Sequence, residues 1–150
     1  MCGTLMIIRP TTQEDTMKLL PMIKSFCEEM NYPFEMTSLV FFILECHKQK
    51  WMLDVVEEDG EFLGLGGVAL QPHFCNNSII QGIEYVWHSL PSLPDYKRAK
   101  IMLALLSRME SFTEKHHVPL VLSVSYTSKL GKYLEKKGYN TKHESQYRRD

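Results

Sequence analysis

Cysteine is scarce and unpaired in this sequence. Cys2, Cys27, Cys46 and Cys75 include no Cys-x-x-Cys pair, and no His-x₃₋₅-His spacing accompanies them. A disulfide framework belongs to smaller, loop-rich secreted chains, so these four thiols read as reduced, packed residues of a cytosolic protein. Long hydrophobic runs are missing as well. The longest uncharged apolar stretch, residues 36–44, is far shorter than the ~20 residues a membrane span requires. No basic segment precedes the short apolar run at residues 5–8, which excludes a secretory signal there. Charge of one sign is not in excess: seventeen basic and eighteen acidic side chains leave a net charge of −1. No whole-molecule field therefore recruits nucleic acid or an anionic membrane, and neither is expected as a partner, although a local basic patch stays open. Internal repeats, low-complexity tracts and linkers are absent too.

What is present is an ordinary globular composition, 44% apolar and 23% charged over 150 residues, sized for a single domain spanning 1–150. Residues 5–8 form a first strand closed by Arg9-Pro10. Thr11 and Thr12 offer helix-capping hydroxyls ahead of Glu14 and Asp15. Apolar residues at 19, 20, 23, 26, 27 and 30 then follow helical spacing, with Pro21 as a restart or kink. A second helix begins near Thr37 or Ser38 and runs to about Lys50. The period then changes to that of strands. Residues 51–57 and 62–70 flank Asp59-Gly60, a strong hairpin signal. Residues 71–78 read as a polar loop before a third strand over 79–88. Its alternation puts Glu84, Val86 and His88 on one face, and Ile79, Gln81, Ile83, Tyr85 and Trp87 on the other. A long helix is expected over about 95–116, a buried strand over 120–125, and a short helix over 128–137 stopped by Gly138. One last strand completes a mixed α/β domain of order β-α-α-β-β-β-α-β-α-β.

Three segments carry a resemblance. The opening Ile7-Ile8-Arg9-Pro10-Thr11, the segment Leu-Pro-Asp-Tyr-Lys-Arg-Ala-Lys-Ile-Met at 93–102, and Thr-Ser-Lys-Leu-Gly-Lys-Tyr-Leu-Glu-Lys-Lys-Gly-Tyr at 127–139 stand in an order similar to that of the GNAT superfamily of acetyl-CoA-dependent N-acetyltransferases. The resemblance implies a GNAT-like, acyl-CoA N-acyltransferase mixed sheet, with acetyl-CoA held between the fourth and fifth strands. It further implies a pyrophosphate cradle of backbone N–H groups at a helix N-terminus, written Arg/Gln-x-x-Gly-x-Gly/Ala. Here Lys97 takes the Arg/Gln place, while Lys100 and Met102 stand where small residues are expected. Lys97, Arg98 and Lys100 crowd the first turns of a helix, where cations oppose the dipole. That cluster fits either an anion site, for a phosphate or an acidic partner, or a solvated basic face.

By the same resemblance, a carboxylate on the fourth strand serves as general base, which makes Glu84 the catalytic candidate. Such a base needs partial burial to draw its pKa towards neutrality; the alternative is a plain strand-face carboxylate. His88 is a second candidate, against a polar strand-end role. Val86 lies beside Glu84 at the expected cofactor cleft. The tyrosine that protonates the leaving thiolate falls at Leu134, with Tyr133 one residue earlier and rotated by about 100°. The family's late asparagine falls at Thr127, which still offers a hydroxyl to the cofactor. The late helix also resembles those of phage-encoded GNAT-like proteins, some packaged in virions.

Other motifs carry less. Gly64-Leu65-Gly66-Gly67 has no following helix and the wrong spacing for a dinucleotide fingerprint, and reads as strand glycines next to a bulge. His116-His117 sits at a helix C-terminus rather than in a metal site, and no metal is expected. The expectation is a GNAT-fold protein whose acetyl-CoA site is degraded and whose role is binding or structural, with a protein partner or a second copy of itself. That places it in the cytoplasm or inside a virus particle. The alternative is an active N-acetyltransferase acting on a primary amine.

Overall fold

The computed structural model describes residues 5–124, 129–143 and 146–149. The strands are β1 (Ile7–Pro10), β2 (Met52–Glu58), β3 (Glu61–His73), β4 (Asn76–Ser89), β5 (Leu120–Ser123), β6 (Asn140–His143) and β7 (Gln146–Arg149). The helices are α1 (Thr16–Glu29), α2 (Met36–Gln49), α3 (Asp95–Lys115) and α4 (Lys129–Lys136). The strands form one seven-stranded sheet in the order β1-β2-β3-β4-β5-β7-β6. Every pairing is antiparallel except that of β4 with β5, so α3 serves as the crossover between two parallel strands. The mixed α/β order expected from the sequence is present, with two short strands in the tail where one was expected.

Both faces of the sheet are covered. On one face α1 and α2 bury Leu19, Ile23, Ile43 and Cys46 against Val55, Leu65 and Val86. On the other, Ile101, Leu105 and Met109 of α3 pack with Leu63, Val68, Leu120 and Leu122, and Leu134 of α4 joins them. The close seat of α3 explains the glycines of β3. A Cβ at Gly64 would stand 2.4 Å from Cγ2 of Ile101, so only hydrogen there lets the helix approach. The β2–β3 turn uses Asp59 and Gly60 at φ 54° and 80°, the left-handed geometry that an Asp-Gly hairpin demands.

Two boundaries differ from expectation. β1 runs on through Arg9-Pro10, which an edge strand tolerates because no outer neighbour needs the missing N–H. Most of the polar segment at 71–78 is strand rather than loop. β3 and β4 stay paired out to His73 and Asn76, and side chains hold the tight connection. His73 Nδ1 accepts from the Cys75 N–H at 3.1 Å, and Asn76 Oδ1 accepts from the Ser78 N–H at 3.0 Å. Polar residues there build the turn of a long hairpin that projects past β2, whose pairing with β3 ends at Val68.

Far along α3, the buried carboxylate of Glu110 binds Lys137 at 2.6 Å, the Tyr139 hydroxyl at 2.7 Å and Arg149. Burial pushes this carboxyl up, but the three donors outweigh it and hold it below the usual range. The end of the chain is thereby tied to α3. Among the described residues no helix is long and apolar enough to cross a membrane.

Candidate functional site

The site begins where β4 and β5 part. Their parallel pairing consists of Gly82 with Leu120 and Ile83 with Val121. β4 continues to Ser89, and among the described residues no strand pairs with it on that side from Glu84 onward. At the same point β4 carries a bulge, because Val68 of β3 pairs with Glu84 but Gly67 pairs with Val86. Tyr85 is the extra residue. The bulge corrects the alternation expected from the sequence. Glu84 lies opposite Val68 on the α3 side, whereas Tyr85 joins Val86 and His88 on the side of α1 and α2. Tyr85 fills the space that a side chain at Gly67 would need, where a Cβ would lie 2.3 Å from its ring. Its hydroxyl donates to the Met52 carbonyl, and burial raises its pKa so that the phenol stays protonated.

Between the parting strands lies a cleft of about 490 Å³. Its walls are Glu84, Trp87 and His88 of β4, Ser123 and Val124 after the split, the end of α1 with Phe26 and Glu29, and Arg98 and Met102 of α3. It adjoins a groove of about 690 Å³ between the start of α3 and α4, lined by Asp95, Tyr96, Arg98, Met102, Lys129 and Tyr133. Arg98, Met102 and Leu130 border both, so the two form one continuous depression.

Glu84 is 9% exposed. Burial raises its carboxyl from 4.5 to about 7, against the opposing pull of a hydrogen bond from the Ser123 backbone N–H. At neutral pH it can therefore both accept and release a proton. His88 is buried, with Nε2 2.9 Å from Ser25 Oγ and Nδ1 3.5 Å from the Glu29 carboxylate. Burial holds its pKa below the usual imidazole value despite Glu29, and Arg98 adds to the depression. Arg98 donates to Ser89 Oγ at 3.0 Å, to the Ser89 carbonyl at 2.8 Å and to both oxygens of Glu29 at 2.9 and 3.0 Å.

The other expected site residues fall in several places. Val86 is buried in the core under α1 and α2, so only its main chain faces the split. Lys97 turns away and binds Glu58 at 2.9 Å, at the β2–β3 hairpin. Lys100 is exposed and borders neither cavity. Tyr133, 39% exposed, lines the outer groove, and Leu134 is fully buried. Thr127 lies outside the described residues. Two of the three cations at the start of α3 are thus answered by the chain's own carboxylates, Glu58 and Glu29.

Sequence reasoning missed Ser25, Glu29 and Ser89. Glu29 alone left a trace, since an acid in the last turn of a helix opposes the dipole and needs a cation elsewhere. Among the described residues no three His, Cys, Asp or Glu side chains gather as a metal-binding group.

No family model matches the sequence, and no curated protein matches it. Solved structures do. One, from Clostridium acetobutylicum and described as a predicted acetyltransferase with acetyl-CoA, superimposes with a TM-score of 0.70 at 16% identity, over 93% of each chain. An acetyltransferase of Trypanosoma brucei gives 0.66 at 18% identity, over 97% of this chain and 99% of its own. A protein of Bacillus halodurans described as a transcriptional regulator gives 0.71 at 16% identity, over 94% and 97%. The chain has the fold of the GNAT acetyltransferases, and that fold carries more than one described role.

Proposed function

We propose that this chain transfers an acyl group from a coenzyme A thioester to a primary amine, with Glu84 as the general base. One observation carries the reading: a buried carboxyl with a pKa of about 7 stands where β4 leaves β5, on the wall of the cleft. An amine arrives as its ammonium and gives a proton to the Glu84 carboxylate. The freed nitrogen lone pair attacks the acyl carbon; the carbon–sulfur bond breaks with its electron pair leaving on sulfur, the nitrogen's surplus proton passes to that sulfur to give the free thiol, and Glu84 returns its own proton to water. Acetyl-CoA supplies the acyl group as an activated thioester. Among the described residues no strand pairs with β4 beyond Ile83 on that side, which suits the amide-bearing arm of such a molecule, able to hydrogen-bond there as a strand would. The groove between α3 and α4 gives its nucleotide end room, beside Tyr96, Lys129 and Tyr133.

The start of α3 favours a second reading. The helix is already formed at Asp95, with the N–H groups of Lys97 and Arg98 both bonded to the Pro94 carbonyl at 3.0 Å. Amides from Ala99 onward lie within the helix's own ladder, so the unpaired donors are those of the first turn. The Asp95 carboxylate occupies that turn and repels a phosphate. Lys100 and Met102 add side chains where the GNAT pattern has none. A chain that kept the cleft but lost the grip on pyrophosphate would serve by binding another macromolecule, as in a protein assembly.

Calorimetric titration with acetyl-CoA and with CoA separates the two. Micromolar binding supports the enzyme, and absence of heat up to millimolar ligand overturns it. A Lys100→Gly, Met102→Gly variant gains affinity if those side chains obstruct the main chain.

A further inference from the structure

The wall of the cleft nearest α1 specifies more than a place for an amine. Phe26, Tyr32 and His88 stand there as an edge-to-face chain. The Phe26 and Tyr32 ring centroids are 5.9 Å apart at 75°, and those of Phe26 and His88 are 5.8 Å apart at 69°. All three line the same cleft as Glu84, with Met30 beside them. Rings set at steep angles to one another form a corner, and a corner of aromatic faces attracts a cation while accepting apolar groups.

The charges around this corner are already settled. Arg98 is the cationic side chain of the cleft lining; its Nε and Nη2 donate to Ser89 and to both oxygens of Glu29, and that carboxylate balances its charge. His88 is held towards its neutral form by burial. Lys97 is bound to Glu58, and Lys100 does not reach the cleft. Among the described residues, the remaining ionisable lining groups are the carboxyls of Glu29 and Glu84 and the phenols of Tyr32 and Tyr85. A phosphate or carboxylate entering here would be desolvated beside the carboxyls of Glu29 and Glu84, against a guanidinium whose charge Glu29 already balances, which is unfavourable. An ammonium meets ring faces on one side and carboxyl oxygens on the other.

We infer that the acceptor is a small primary amine on an apolar, uncharged body, bound as its ammonium against Phe26 and Tyr32. The inference rests on the acyltransferase reading and names the substrate class of that site. A cleft of about 490 Å³ holds an arylalkyl amine together with the end of an acyl-bearing arm. Tyr32 is 51% exposed, so the corner opens to solvent and the amine can reach it without a rearrangement.

The test uses the full chain and three amines: phenethylamine, glucosamine 6-phosphate and spermidine. Acetyl transfer is followed with acetyl-CoA, and binding of each amine alone is followed by saturation-transfer NMR. Expected are a kcat/KM for phenethylamine at least ~100-fold above that for glucosamine 6-phosphate, and a saturation-transfer signal for phenethylammonium. A Tyr32→Ala variant should raise the phenethylamine KM and weaken its binding by roughly five- to tenfold, as loss of one ring face implies. Equal turnover of the phosphorylated amine, a preference for spermidine, or indifference to Tyr32→Ala overturns the inference. If no amine is turned over, NMR still decides. Selective phenethylammonium binding sensitive to Tyr32→Ala supports the inference, and its absence overturns it. Failure of coenzyme to bind overturns the acyltransferase reading separately, because the amine measurement needs no coenzyme.

Discussion

Replacing Glu84 by glutamine should make the protein more stable in alkaline solution, and the size of the gain follows from the structure. The wild-type carboxyl titrates near 4.5 when unfolded and at about 7 when folded, because burial disfavours its charged form. At ~1.4 kcal/mol per pH unit, that displacement costs the folded state roughly 3 kcal/mol once the group is ionised in both states. The sign is fixed by linkage. Below pH 4.5 the group is protonated folded and unfolded, and no penalty exists; as pH rises towards 7 the unfolded chain sheds its proton first, and stability falls until the folded pKa is passed. Glutamine has the same shape, keeps a carbonyl oxygen for the Ser123 N–H and has no charge. Urea unfolding at pH 4 should therefore find the two proteins within ~1 kcal/mol of each other. At pH 8.5 the variant should lead by roughly 3 kcal/mol, a midpoint shift of about 1–2 M. All other titrating groups are common to both proteins and cancel in the difference. A gap independent of pH, or one that opens on the acid side, would refute the argument that burial sets this pKa.

Three further outcomes are expected. Referred to the concentration of the ammonium form, kcat/KM for the amine should rise about tenfold per pH unit below about 7 and level off above it; a flat profile from pH 5.5 to 8.5 on that basis removes Glu84 as the base. Gly67→Ala should cost about 1–3 kcal/mol in urea unfolding, because its Cβ would lie 2.3 Å from the Tyr85 ring, and the cost should shrink in a Tyr85→Ala background. Glu110→Gln should destabilise by roughly 2–4 kcal/mol at neutral pH by leaving Lys137, Tyr139 and Arg149 without their carboxylate. Since the folded pKa of Glu110 lies below 4.5, that difference should fade as pH drops below 4.5.

Periodicity, turn chemistry and the two stop signals at Asp59-Gly60 and Gly138 were enough to order the elements, because each is a local property of the chain. The long β3–β4 hairpin escaped because polar residues at 71–78 look like a loop until the hydrogen bonds of His73 and Asn76 are seen. Glu84 was legible as a carboxylate on the fourth strand, yet its neighbours were misread. A bulge of one residue at Tyr85 separates Glu84 from Val86 and His88 and brings Tyr85 to their face, while the alternation of Val86, Trp87 and His88 holds; nothing in Ile-Glu-Tyr-Val-Trp-His marks where the bulge falls. The cationic start of α3 left two readings open in the sequence, an anion site or a solvated face, and Lys97 and Arg98 instead meet carboxylates of the chain itself. That these are Glu58 and Glu29, 39 and 69 residues away, is a tertiary fact with no local signature.

The weight of the two functional readings turns on Glu84 more than on the start of α3. Domains of ordinary size are stable by about 5–15 kcal/mol, so a penalty of roughly 3 kcal/mol above pH 7 is a large share of the total. A surface that only held another macromolecule would gain nothing from an ionisable group there. Glutamine would accept the same Ser123 N–H and leave the split between β4 and β5 unchanged, without the cost. A carboxyl tuned to exchange a proton at neutral pH is useful when a proton has to be moved, and an ammonium against Phe26 and Tyr32 supplies one. The first turn of α3, with the Asp95 carboxylate in it, bears on a different quantity, the affinity for the distal phosphates. A weak grip there raises the coenzyme concentration needed without touching the proton transfer. On the proposed reading, an enzyme with a high KM for its acyl donor accommodates both the buried carboxyl and the start of α3.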